Sequence, residues 1–251
     1  MSQFAAGVVL REERAFFAVA ALFFVSSAVL LIAWHGSMST MVWMRMPEQT
    51  WAGAAASFLG MWVVMMMAMM LPALLPMLSR YRAALTDATR LGRLTALVAV
   101  AYFAVWTVFG MAVFPLGVAM SAAAMQLPGL ARALPFAAGV IVLIAGGLQF
   151  TAWKAYHLAC CRELPQRSRP LSADARTAWR HGVRLGVHCT QCSAGLMAIL
   201  LIAGIMDLRA MAVVAAAIGA ERLAPASERV ARAIGAVAVV IGLFLIARAA
   251  S

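Results

Sequence analysis

The chain has 251 residues, of which 65% are hydrophobic and only 12% charged, with a mean hydropathy of +0.93. Soluble domains carry about 45–50% apolar and about 25% charged residues, so this composition excludes an ordinary water-soluble fold and points to a polytopic membrane protein. The formal net charge of +11 sits in short loops between apolar runs, which reads as membrane topology and contact with anionic headgroups and excludes a nucleic-acid surface.

In lipid a backbone must satisfy its own hydrogen bonds, so the apolar runs are helices and the fold is all-α, a single membrane-embedded helical domain over 1–251. Seven spans are expected, the first being Ala15–Trp34. It follows Arg11 and Arg14 as a signal peptide would, but it has about 20 apolar residues and no small-residue cleavage site, so it reads as an uncleaved anchor. His35, Met38, Met41, Met44 and Met46 follow as a Met-rich outer loop that could receive copper. The second span, Ala52–Leu78, carries Trp62 and the methionines Met61, Met65, Met66, Met67, Met69 and Met70, with Pro72 and Pro76 placed to kink its end. Met61, Met65 and Met69 make one i, i+4 stripe and Met66 and Met70 a second. Thr95–Met120 and Leu134–Trp153 are the third and fourth spans, with Gln149 a polar residue inside the latter. A cytoplasmic loop over 154–184 then holds His157-Leu-Ala-Cys-Cys161, two prolines at 165 and 170, and a short surface helix, Leu171–Arg184, with Ser172 as its cap. The fifth span, Leu185–Met206, opens on Cys189-Thr-Gln-Cys192. Ala210–Ala220 is short for a crossing and closes on Glu221-Arg222; it reads as a sixth span, as a re-entrant or buried segment, or as a helix running on through Leu223. Ala231–Ala247 is the seventh.

Basic residues alternate between the loops. Arg11 and Arg14 precede the first span, Arg80, Arg82, Arg90 and Arg93 follow the second, Lys154 to Arg184 supply seven more after the fourth, and Arg222, Arg229 and Arg232 follow the sixth. The intervening loops hold one each, Arg45, Arg132 and Arg209. The positive-inside rule then places the N-terminus inside and the C-terminus outside, in a bacterial cytoplasmic membrane. It also brings the ends of spans four and five to one face.

That convergence carries the chemistry. Cys189 and Cys192, three apart, share a helix face, and so do His157 and Cys161, four apart. A helix N-terminus would favour the Cys189 thiolate through the macrodipole. Thiolate and imidazole donors select Zn(II), Cu(I) or an iron–sulfur centre over Mg²⁺ or Ca²⁺. The expected metal set is therefore Cys189, Cys192, His157 and Cys161, with the thioethers of Met65, Met69 and Met70 relaying a soft ion. The plainer reading of each residue is a small thiol, or a gap-filling methionine, inside a helical bundle. Cys160 reads as a bystander or an alternate ligand, His181 and His188 as possible ligands or interfacial histidines, and Glu221 as either a functional acid or the partner of a nearby base.

These residues resemble an uncharacterised family of predicted metal-binding integral membrane proteins. Its pattern of a Trp- and Met-rich second span ending Ala-Met-Met-Leu-Pro is matched by Trp62 and 68–72. The junction after span four is matched by Gln149, Lys154, Cys161 and Arg162, with His157 where a first cysteine is usual. The third block is matched by Gly186, Cys189, Cys192, Leu196 and Met197, with Ser193 in place of a last cysteine, and Glu221-Arg222 match an acidic–basic pair after span six. The resemblance implies a metal-binding class and no particular reaction.

The expected function is soft-metal binding, copper before zinc, for transport, delivery or homeostasis, with a metal chaperone or a membrane complex as partner. A membrane thiol–disulfide oxidoreductase using Cys189 and Cys192, and a structural subunit, are the alternatives. No phosphate-binding loop or dinucleotide fingerprint is present, so an enzyme is the less expected class. Gly182-x-x-x-Gly186 marks a close helix contact.

Overall fold

The computed structural model describes residues 2–38, 49–85, 90–162, 174–205 and 207–250. These form eight α-helices, with no strand among the described residues: α1 (Ser2–Met38), α2 (Trp51–Ala84), α3 (Leu91–Gln126), α4 (Pro128–Leu148), α5 (Ala152–Arg162), α6 (Ala175–Ala203), α7 (Leu208–Leu223) and α8 (Ser227–Ala250). Five of them, α1 over Glu13–Trp34, α2, α3, α6 and α8, are long and apolar enough to cross a bilayer. Arg132–Leu148 and Ala152–Cys161 make a sixth if the pair, bent by 67°, is taken as one span. The remaining expected span, α7, has 16 residues and ends at Leu223. At about 1.5 Å per residue it is roughly 24 Å long, short of a hydrocarbon layer of about 30 Å.

Local chemistry explains where the helices depart from expectation. Pro72 and Pro76 lie inside α2, yet the helix runs unbroken to Ala84. The fourth span does not continue straight to His157. Gly146 and Gly147 weaken the end of α4, and tight turn bonds from Gln149, Phe150 and Thr151 back to Gly146, Gly147 and Leu148 close it. The Thr151 hydroxyl then accepts from the Lys154 amide and starts α5. Residues 154–162, expected in a loop, are therefore helical, and Lys154, His157, Leu158 and Cys161 are buried. The surface helix and the fifth span are one helix, α6, because no proline interrupts 175–203. Its cap is Asp174, whose carboxylate accepts from the Thr177 amide and hydroxyl, each at 2.8 Å. Those two bonds hold the Asp174 carboxyl below the usual carboxylate range. Ser172 lies outside the described residues, as do the side chains of His35, Met38, Met41, Met44 and Met46.

Contacts give the helix directions. α2 is antiparallel to α1, pinned where Arg82 of α2 bonds Glu13 of α1 at 3.0 Å and its guanidinium covers Phe16. Phe58 meets Phe114, and Trp62 lies on Gly110, so α3 is antiparallel to α2. Gly182 faces Val98 and Ala101, and Gly186 faces Val105 and Tyr102, so α6 runs parallel to α3. A Cβ on Gly182 would overlap the Val98 carbonyl oxygen, so the close seam expected from these two glycines is made within the chain. α4 and α8 are antiparallel and meet backbone to backbone: a Cβ on Gly146 would lie 2.8 Å from the Val239 amide nitrogen, and one on Gly242 2.6 Å from that of Leu143. α6 and α7 form a hairpin through Gly204, which holds φ 110° and whose carbonyl accepts from the Asp207 amide. Outward faces of α1 and α8 present apolar side chains such as Leu22, Ile32, Val240 and Phe244, each more than 60% exposed. Such surfaces are compatible with a multi-pass membrane protein.

Candidate metal centre

α3, α5, α6 and α7 each turn side chains into one buried cluster. Its members are Tyr102 from α3, Lys154 and Cys161 from α5, Cys189 and Cys192 from α6, and Glu221 and Arg222 from α7; none is more than 4% exposed. The small-residue seam between α3 and α6 brings Tyr102 to Cys189, with hydroxyl and sulfur 2.8 Å apart. The break after α4 aims α5 across α6 and brings Cys161 to Cys192, with their sulfurs 3.6 Å apart. The α6–α7 hairpin brings Arg222 to both: its Nη2 donates to the Cys192 sulfur at 3.2 Å and reaches the Cys161 sulfur at 3.9 Å. Beside it, Lys154 Nζ donates to Glu221 Oε2 at 2.6 Å and to the Cys192 carbonyl at 2.5 Å. Arg222 Nε and Glu221 Oε1 have no hydrogen-bond partner among the described residues. All four cysteines are free thiols.

The expected site residues thus fall into two groups. Cys161, Cys189 and Cys192 converge. His157 does not join them: its Nδ1 lies 3.1 Å from Nδ1 of His188, and its ring packs against Trp153 and Tyr156. Cys160 is half-buried, and His181 stacks on Tyr81. Among the described residues no three His, Cys, Asp or Glu side chains close into a ready-made metal shell. The helix-dipole argument for Cys189 is corrected by the position of the cap. Cys189 lies 14 residues into α6, about 21 Å from its start, and the dipole acts within the first turn.

The methionine face of α2 is buried in the same core. Met61, Met65, Met66, Met69 and Met70 are each 6% exposed or less, and they join one cluster with the three thiols. The antiparallel register that seats Trp62 on Gly110 puts Met70 level with Tyr102, beside the thiol layer. Trp62 itself is a structural pin. Its indole donates to the Trp106 carbonyl at 2.9 Å and stacks on Phe58. Ser193, standing where a cysteine was expected, donates back to the Cys189 carbonyl. Gln149 is buried at the α4–α5 break against Gly235 of α8.

Lys154, Arg222 and Tyr102 were missed as cluster members. Lys154 and Arg222 read as loop charges because each directly follows an apolar run. The usable signal was the Glu221-Arg222 pair closing a segment too short to reach water, since ionisable groups inside a membrane face one another or a site. Tyr102 carries no sequence signal of its own.

Compared with known proteins, residues 59–245 match the family PpoB2, described as copper chaperone. No curated protein and no solved structure matches the chain. The match agrees with the expectation of a metal-related family and relates it to copper.

Proposed function

The chain belongs to the PpoB2 copper chaperone family, and on that premise we propose that it carries Cu(I) across or within a membrane on the thiols of Cys161 and Cys192, with Cys189 beside them. The observation that carries this reading is the pairing of two sulfurs with a buried guanidinium. With metal–sulfur bonds of about 2.3 Å, two sulfurs lie about 3.8 Å apart in a tetrahedral centre and about 4.0 Å apart in a trigonal one, so a close pair suits an ion completed by further donors such as Cys189 or a methionine thioether. The Cys161 and Cys192 sulfurs are 3.6 Å apart before any ion is added.

Charge selects the ion. Leaving the thiols aside, two cations, Lys154 and Arg222, stand against one carboxylate, Glu221, a sum of one positive charge. Cu(I) on two thiolates is a monoanion, so loading releases two thiol protons and leaves the cluster neutral. Zn(II) on the same two thiolates would add no charge and leave a buried cation, which is costly in low dielectric. Structural zinc also takes four closed protein ligands, whereas Cu(I) accepts two or three. Met69 and Met70 supply thioethers beside the thiol layer, and Met65, about a turn further along α2, extends the relay through the bundle.

The helix directions support seven alternating crossings in a single domain, α7 being a short one, and the charge pattern supports an inner N-terminus in a bacterial cytoplasmic membrane. A metal chaperone or a membrane complex would exchange the ion with it. The test is titration of the reduced, detergent-purified protein with Cu(I), read by X-ray absorption. Copper on sulfur donors is expected, and Cys161→Ser and Cys192→Ser should each lower affinity for that ion by at least tenfold. Unchanged sulfur coordination in both variants overturns the reading, and a Cys161–Cys192 disulfide cycling with a quinone would replace it with thiol–disulfide chemistry.

A further inference from the structure

We propose that His157 and His188 form a second, two-imidazole station for the same ion, one helical turn from the thiol pair and on its way in from the basic end of the molecule. The inference rests on the copper reading above but adds a site to it. His157 precedes Cys161 by four residues on α5, and His188 precedes Cys192 by four residues on α6. The two helices therefore present a ladder of two rungs, imidazole with imidazole and thiol with thiol, about 6 Å apart along each axis. Residues four apart on a helix can share one ion, but here His157 turns to His188 and Cys161 to Cys192, so the rungs are separate stations close enough for a single transfer between them.

The rung geometry suits a ligand pair. Metal–imidazole bonds of about 2.0–2.1 Å put two nitrogens of a tetrahedral centre about 3.3 Å apart. The two Nδ1 atoms are 3.1 Å apart, with ring centroids at 5.4 Å. Without an ion, one ring donates a hydrogen bond to the other, so the rings are held in place before an ion arrives. Borderline imidazole ahead of soft thiolate orders the two stations by affinity for Cu(I), which makes the transfer directional.

Position supports the order. Counted from the Asp174 cap, His188 comes one turn before Cys192. His157 is buried and His188 half-buried, while their neighbours Trp153 and Tyr156 are 45% and 60% exposed. The imidazole rung is therefore the outer one, rimmed by aromatic side chains, and the thiol rung is sealed.

The experiment compares copper content and donor type in three reduced, purified forms loaded with excess Cu(I). The wild-type protein should hold two coppers per chain, one on sulfur and one on nitrogen. The Cys161→Ser/Cys189→Ser/Cys192→Ser protein should keep one copper with nitrogen donors alone. His188→Gln retains a hydrogen-bond partner for His157 and removes a ligand; it should keep the sulfur-bound copper, lose the nitrogen-bound one, and slow loading of the thiols by tenfold or more. Two coppers and an unchanged loading rate in His188→Gln overturn the inference. So does a wild-type protein with sulfur-bound copper alone, a result that leaves the thiol site standing; nitrogen-bound copper that survives when sulfur-bound copper is never seen would instead support the imidazole station and remove the thiol reading.

Discussion

Glu221 shows what a single residue does in this cluster. Among the described residues its carboxylate is the acidic group that meets the Lys154–Arg222 pair of cations, and it is held at 2.6 Å by the Lys154 ammonium. Removing one member of a buried ion pair strands the other's charge, at a cost of about 3–5 kcal/mol, whereas replacing both by apolar groups is often close to neutral. Glu221→Gln should therefore lower the thermal unfolding midpoint in detergent sharply. Lys154→Met combined with Glu221→Leu should recover most of that loss, and a double variant as unstable as the single one would mean that the pair does more than balance charge. At this scale the sequence was partly legible. Cysteines at helical spacing announced themselves, because thiols are rare in the chain and their spacing is visible. The partners did not, because an arginine reads the same in a loop or behind a thiol until the fold decides which.

Between elements, the α3–α6 seam sets the position of Cys189. Gly182 lets α6 approach until the Val98 carbonyl and Ala101 fill the space a Cβ would need, and Ala101 Cβ would lie 2.7 Å from it. Gly182→Ala should push the helices apart, cost about 1–3 kcal/mol, and weaken the Tyr102–Cys189 contact, seen as a lower melting temperature. Gly60→Ala is the control: it lies within α2 with nothing inside 4 Å of the added carbon, so stability should hold or rise. Helix existence was legible from apolar length, and the Met pairs at 61, 65, 66, 69 and 70 marked the buried face of α2 by their spacing. Helix ends were less so. Arg176, Arg180 and Arg184 made the start of α6 read as a separate surface segment, yet a helix whose first turns carry charge continues without a break when no proline or exposed glycine stops it. The turn at Gln149 was hidden for the converse reason: an apolar run gives no sign that two glycines and a threonine will bend it.

For the whole molecule, the alternation of helix directions bears on sidedness. α1, α3, α6 and α8 point one way if α4 and α7 point the other, which agrees with the charge pattern along the chain. A reporter that is active only outside the cytoplasm should therefore work when fused after Ser251 and fail when fused before the first residue; the opposite result would invert the orientation, and activity at both ends or at neither would require an even number of crossings. Cys192 lies 11 residues short of Ala203, about 17 Å from that end of α6, a depth comparable to half of a hydrocarbon layer of about 30 Å. The break at 149–151 has a mechanical consequence at this depth. α4 is clamped to α8 along glycines, so α5 is a lever with its fulcrum at Thr151 and Cys161 near its tip, about 15 Å away. A tilt of about 10° at the fulcrum would carry that tip about 2.6 Å, enough to part the two sulfurs, so opening the grip on an ion requires no helix of the scaffold to slide.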